Sequence, residues 1–181
     1  TIYKGNSLSP HDIVTSYFAG STLYFDRSKR GNAAQRRYET YSGSAVHLMR
    51  TIAGNLWKQE GFSLHFYDKP LDPSEYFGLS SGDGGTKVTL LKKLLVKIKQ
   101  ITDGQVSEEA GTTSETFFTI RYKSRYSFLQ FREPSIDVDS NGNYSPIYGL
   151  MFGGYIGSLK AGDMLPRDYY SETIAKQIKK D

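Results

Sequence analysis

Few residues in this chain are of types and at spacings that could do chemistry. His47 and Arg50 stand three apart within YSGSAVHLMRTIAGNLWKQEGF, residues 41–62. On a helix, side chains at that spacing are neighbours on one face. Together they suit an anion site, or His47 suits a general base. The competing reading is architectural, with His47 at the edge of an apolar stripe and hydrogen-bonded to sheet backbone. No carboxylate or second histidine accompanies the pair at triad or metal-site spacing, which favours architecture. His11 and His65 are distant in sequence and no H-E-x-x-H motif occurs, which argues against zinc.

Asp137-x-Asp139-x-Asn141-Gly142 matches the first half of a calcium loop. Oxygen ligands at positions 1, 3 and 5 with Gly at 6 suit a hard cation, but Tyr148 stands where the bidentate Glu belongs. The flanks read as strands, so a hairpin turn with solvated acids is the favoured alternative and calcium the minor one. Ser81-Gly-Asp-Gly-Gly85 invites a phosphate-cradling reading, yet it lacks both the G-K-[ST] ending and the G-x-G-x-x-G spacing. Arg27, Lys29, Arg30, Arg36 and Arg37 lie near Tyr38 and Tyr41, a mixture that suits an anionic partner or, more simply, a solvated helix face. Arg36 and Arg37 join His47 and Arg50 as candidate anion ligands. No S-x-x-K, G-x-S-x-G or paired-carboxylate spacing stands out, so catalysis would need residues assembled by the fold alone.

These residues must be held by elements that the pattern outlines. Residues 1–31 read as an extended N-terminal segment, either with short strands at 13–18 and 22–25 divided by Gly20 or with a short helix starting at Ser9-Pro10. Asn32 caps a short helix over AAQRRYETY. Ser44 caps the main helix, expected over 44–60. Ala45, Leu48, Met49, Ile52 and Leu56 form its apolar stripe, and Gly61 closes it. Phe62, Leu64 and Phe66 alternate with polar residues as a half-buried strand. Residues 68–86 read as a long loop holding two prolines and SSGDGG. Residues 88–101 fit both periods, with helix, or helix then strand, preferred. Phe117–Tyr122 and Tyr126–Phe131 read as paired strands. Ser135–Val138 and Tyr144–Ile156 read as a hairpin about Asn141-Gly142. A short helix is expected over 158–165, and a basic tail over 170–181 with a short helix at 172–180.

Composition sets the outer limits. The 181 residues fit one domain of ordinary size. Fourteen Tyr and ten Phe lean the chain toward sheet. A mean hydropathy of −0.50 is that of a soluble protein, and 147–159, the longest weakly apolar run, is too short for a spanning helix of roughly 20 residues. A net charge of +4 permits anionic partners without requiring one. The lack of cysteine excludes disulfides, thiol catalysis and thiolate metal sites. The expected fold is therefore α+β: a single domain, mostly antiparallel sheet, with the 44–60 helix packed on one face.

The order of three motifs carries a resemblance. Tyr41-Ser-Gly-Ser-Ala-Val-His47-Leu-Met-Arg50-Thr-Ile52 is followed by Gln59-Glu-Gly-Phe62. Later come Asn141-Gly142-Asn143, Gly154-Tyr155-Ile156 and Asp163-Met-Leu-Pro166-Arg-Asp168-Tyr169. From about Arg36 to Tyr169 the chain resembles the conserved region of Bacteroidota envelope proteins that carry a carboxypeptidase-regulatory-like domain. Leu48 replaces the family's usual Phe and Ile156 its usual Trp; the family's regulatory-like β-sandwich lies outside this chain. The resemblance implies export to the periplasm or outer-membrane periphery and no peptidase activity; no cofactor is expected beyond the minor calcium reading. It points to a structural or interaction module that binds an envelope protein, such as an outer-membrane transport or assembly complex. Two alternatives stand beside it. One is a ligand-binding or hydrolytic domain with a cleft near His47, Arg50 and the 68–86 loop; the other binds nucleic acid or anionic glycan through a basic face.

Overall fold

A computed structural model of the chain describes residues 2–3, 13–15, 33–82, 84–102, 105–115, 117–159 and 165. The expected strand at 22–25, the Asn32 cap, most of the 158–165 helix and the basic tail lie outside these residues.

The fold is α+β with most of its regular structure in antiparallel strands. The first strands, β1 (Ile2–Tyr3) and β2 (Ile13–Thr15), pair with each other. Helix α1 (Ala33–Tyr41) then leads through a tight turn into α2 (Ala45–Ala53). The strands that follow are β3 (Phe62–Phe66), β4 (Lys69–Leu71), β5 (Phe77–Gly82), β6 (Gly85–Leu90), β7 (Leu95–Thr102) and β8 (Gln105–Glu115). After them come β9 (Phe118–Tyr122), β10 (Arg125–Phe131), β11 (Ser135–Asp139), β12 (Tyr144–Ser145) and β13 (Leu150–Gly153), then the short helix α3 (Gly154–Ser158). One five-stranded sheet runs β13-β10-β9-β3-β4 and one four-stranded sheet runs β12-β11-β6-β5; β7 and β8 form a separate ribbon.

Among the described residues one apolar core joins the two larger sheets to α2. Leu48, Met49 and Ile52 of α2 are fully buried, and the helix packs against β6 and β11. Phe77 of β5 lies between the sheets, 5.3 Å from Phe118, 5.6 Å from Phe131 and stacked on Trp57 at 5.9 Å. On β9 and β10 every second residue is buried: Phe118, Ile120 and Tyr122, then Ser127, Leu129 and Phe131. That alternation is the period-2 signature that makes these two strands legible.

Several boundaries differ from the sequence-based expectation, each for a physical reason. The main helix stops at Ala53, not Glu60. Asn55 takes a left-handed φ of 51°, its N–H donates to the Ile52 carbonyl, and the Leu56 N–H donates to the Thr51 carbonyl. This is a Schellman closure with Asn at the left-handed position. Leu56 then continues the apolar stripe from a turn, not from the helix.

The expected long loop at 68–86 is mostly strand. Tyr67-Asp68 turns β3 into β4, a turn of 3-10 helix at Pro73–Glu75 follows, and β5 pairs with β6 from Phe77↔Leu90 to Gly82↔Gly85. The SSGDGG stretch is therefore a hairpin tip, and Asp-Gly is a strong hairpin signal. Gly82 and Gly85 form the last pair of the ladder. The preferred helix at 88–101 is also overturned. Val88 and Leu90 lie in β6, and Leu95–Thr102 is β7, consistent with the β-branched residues of this stretch.

The Asn-Gly hairpin is present, with Asp137↔Ser145 and Val138↔Tyr144 in register. Its second strand ends at Ser145, however. Pro146, which has no N–H to donate, begins a connection to the other sheet, where β13 pairs with β10. Residues 154–156, expected as strand, open α3 instead.

Candidate functional site

The turn between α1 and α2 holds the strongest chemical candidate. Ser44 caps α2, its hydroxyl accepting from the His47 N–H at 3.3 Å. Gly43 takes φ +83°, and a Cβ there would come within 2.7 Å of the Tyr122 ring, so both the turn and the contact demand glycine. Its N–H donates to His47 Nδ1 at 3.0 Å. The other ring nitrogen, Nε2, lies 2.9 Å from Glu60 Oε2. Because Nδ1 accepts, the neutral ring carries its proton on Nε2 and donates it to the carboxylate. The ring stacks on Tyr41 at 4.6 Å, and Phe62 and Tyr122 meet it edge-on at 4.8 and 5.3 Å.

Burial is the largest influence on His47 and holds its imidazole below the ordinary value. The Glu60 hydrogen bond and charge oppose this; Arg50 and Lys123 reinforce it. The ring is thus neutral at neutral pH, and both nitrogens are engaged within the fold. That disposes of a free general base. The architectural reading holds in outline, but the backbone partner is Gly43 of its own turn, not a sheet, and a carboxylate does accompany the ring. Glu60 lies thirteen residues away and is brought in by the turn that follows α2.

Arg50 reaches the Asn-Gly turn. Its stem packs against that turn, where a Cβ on Gly142 would fall 2.5 Å from both Arg50 Cγ and the Val46 carbonyl oxygen. Gly142, at φ +83°, is another position that only glycine fits. Asp139 organises this turn. Its Oδ1 accepts from the Asn141 and Asn143 N–H groups at 2.8 and 2.9 Å, and Oδ2 accepts from the Asn143 side chain at 2.9 Å. The carboxylate proposed as a calcium ligand is thus occupied by amide donors. Asp137 is exposed on β11, and Asn141 is half-buried in the turn with its backbone serving Asp139.

Between α2 and the β6–β11 pair lies a cleft of about 440 Å³. Tyr41, His47, Arg50, Glu60, Thr86 and Asp139 contribute to its walls. The fold therefore brings His47 and Arg50 together with part of the 68–86 segment and with Asp139. It does not bring in Arg36 or Arg37. Arg36 is exposed and Arg37 half-buried on α1, and neither lines the cleft. Of the basic cluster, Arg27, Lys29 and Arg30 lie outside the described residues.

A second feature, not anticipated from the sequence, is the outer face of the five-stranded sheet. Tyr126 and Phe128 point away from the core on β10, 53% and 42% exposed, and Phe117 lies 6.2 Å from Phe128. Arg121 sits over the Tyr126 ring at 5.1 Å and pairs with Asp68 at 2.6 Å. Arg132 donates to Met151 Sδ at 3.2 Å on the same side. The signal was present as aromatics at outward positions 126 and 128 and at the flanking Phe117, but alternation alone does not say which face is covered. Comparison with family models, with curated proteins and with solved structures returns no match. No helix among the described residues is long and apolar enough to cross a membrane.

Proposed function

We propose that this chain is a non-enzymatic interaction module of the bacterial cell envelope, at the periplasm or outer-membrane periphery, that binds an envelope protein. The envelope setting follows from the resemblance to the carboxypeptidase-regulatory-like proteins. The observation that carries the interaction role is the outer sheet face. Phe117, Tyr126, Phe128 and Met151 with Arg121 and Arg132 match the residue types that dominate protein interfaces. Exposed aromatics grouped in this way on a surface mark an interaction site. Native purification from envelope fractions is expected to recover a stable partner, and Tyr126→Ser with Phe128→Ser is expected to lose it. Recovery of only a cytosolic monomer would sink the proposal.

One observation favours a second reading, that of a small-ligand site. Arg50, Glu60 and Asp139 meet around the 440 Å³ cleft, so polar groups of both signs converge there. A thermal-shift screen of small anions and zwitterions would reveal it, with the shift lost in Arg50→Met.

A further inference from the structure

The two larger sheets have four edges, and three are blunted by familiar devices. Edge β4 is three residues long and contains Lys69 and Pro70. Edge β12 is two residues long and runs into Pro146. Edge β13 is four residues long, and α3, which follows it directly, packs back on β13 and β10. Short length, lysine, proline and a covering helix are the usual means of keeping an edge from pairing with another chain.

Among the described residues, edge β5 has none of them. Phe77–Gly82 is six residues, FGLSSG, with no charge and no proline. Its register with β6 runs unbroken from Phe77↔Leu90 to Gly82↔Gly85, so no bulge twists it away. Among the described residues no strand pairs with its other side. Leu79 sits opposite Val88, which is fully buried, and so points to the core side, yet it is itself 41% exposed. Among the described residues, the core is left open at this edge.

We propose that β5 is a self-pairing edge through which two copies of this chain join antiparallel into one continuous sheet. The strand suits its own copy. Antiparallel pairing of β5 on itself sets neutral residues against neutral residues in every register, whereas a charged edge would set like charges opposite each other. The register centred on Leu79 lays the two half-covered leucines together on the core side and places Phe77 opposite Ser81. Side chains directly opposite in such a pair have Cβ atoms about 5 Å apart, so each leucine covers the other. This inference does not depend on the aromatic face, which lies on the other sheet.

The chain has no cysteine, which makes a direct test clean. In Leu79→Cys, mild oxidation of the full chain is expected to link most molecules as disulfide dimers, because antiparallel pairing brings the two Cα atoms within bridging distance. Tyr67→Cys, at a more exposed site on the other sheet, is expected to stay at background. Sedimentation equilibrium of the unmodified chain should show a monomer–dimer equilibrium. Leu79→Lys or Ser80→Lys should weaken it at least tenfold, and Tyr126→Ser should leave it unchanged. A chain that stays monomeric at millimolar concentration, a dimer that survives both lysine variants, or equal cross-linking at 67 and 79 would each overturn the proposal.

Discussion

The turn from Tyr41 to His47 and the outer face formed by Phe117, Tyr126 and Phe128 are opposites. In the turn, His47 and Ser44, the residues that most suggest chemistry, are engaged inside the fold. His47 is held by Gly43 and Glu60, and Ser44 by the start of α2. Even the Ser42 carbonyl accepts from Arg125 at 2.8 Å, and that guanidinium stacks over Tyr155 at 4.3 Å. On the sheet face the residues are ordinary core formers, and they are left uncovered. Polar residues that look reactive in a sequence are here structural, while apolar residues that look structural are available for contact. A side chain's type suggests what it can do; whether its partners are already supplied decides what is left for it to do.

The contrast is sharpest for His47→Ala. That change removes a buried ring stacked on Tyr41 and strands the Gly43 N–H, and it is expected to cost about 3 kcal/mol. Chemical denaturation would measure this as a lower midpoint at unchanged m-value. A cost near zero would mean the ring is not structural and would reopen the cleft to catalysis. Gly43→Ala should follow at about 2 kcal/mol, from the left-handed backbone and the Tyr122 contact.

Acidification tests the same turn without mutation. The folded His47 value lies below the ordinary one, near 6.5 in an unfolded chain. Above about pH 6.5 the ring is neutral in both states and its contribution is complete. As pH falls below that point the unfolded chain takes up the proton first, so stability declines until the folded ring is protonated too. Protonation also sets an N–H on Nδ1 against the Gly43 N–H. Thermal midpoints measured from neutral pH downward should therefore fall more steeply for the unmodified chain than for His47→Gln. Parallel curves would assign the slope to other groups, His65 first, whose value burial also lowers.

The smallest stability effect is expected on the outer face. Tyr126→Ser loses the Arg121 contact and little else, about 0.5–1 kcal/mol, while partner recovery should drop sharply. If Tyr126→Ser destabilised the fold as much as His47→Ala, the distinction between an occupied turn and an available face would collapse.

What the sequence determined by itself is local. The Ser44 cap, the apolar stripe from Leu48 to Ile52, the alternation of β9 and β10 and the Asn141-Gly142 hairpin each depend on residues within a few positions of one another, so residue order is enough to specify them. Asn55 and Asp83-Gly84 carried equally local signals for the helix end and for the β5–β6 hairpin. They were outweighed by Gly61 and by the density of glycine and proline in 68–86. The remaining features were decided only by tertiary structure. Glu60 reaches His47 across thirteen residues and Arg125 reaches Ser42 across eighty-three. The layering that covers one face of β9 and β10 leaves the other open, and the strand order leaves β5 at an edge. Such outcomes follow from how elements pack and from which surfaces run out of neighbours, and no window of sequence encodes that.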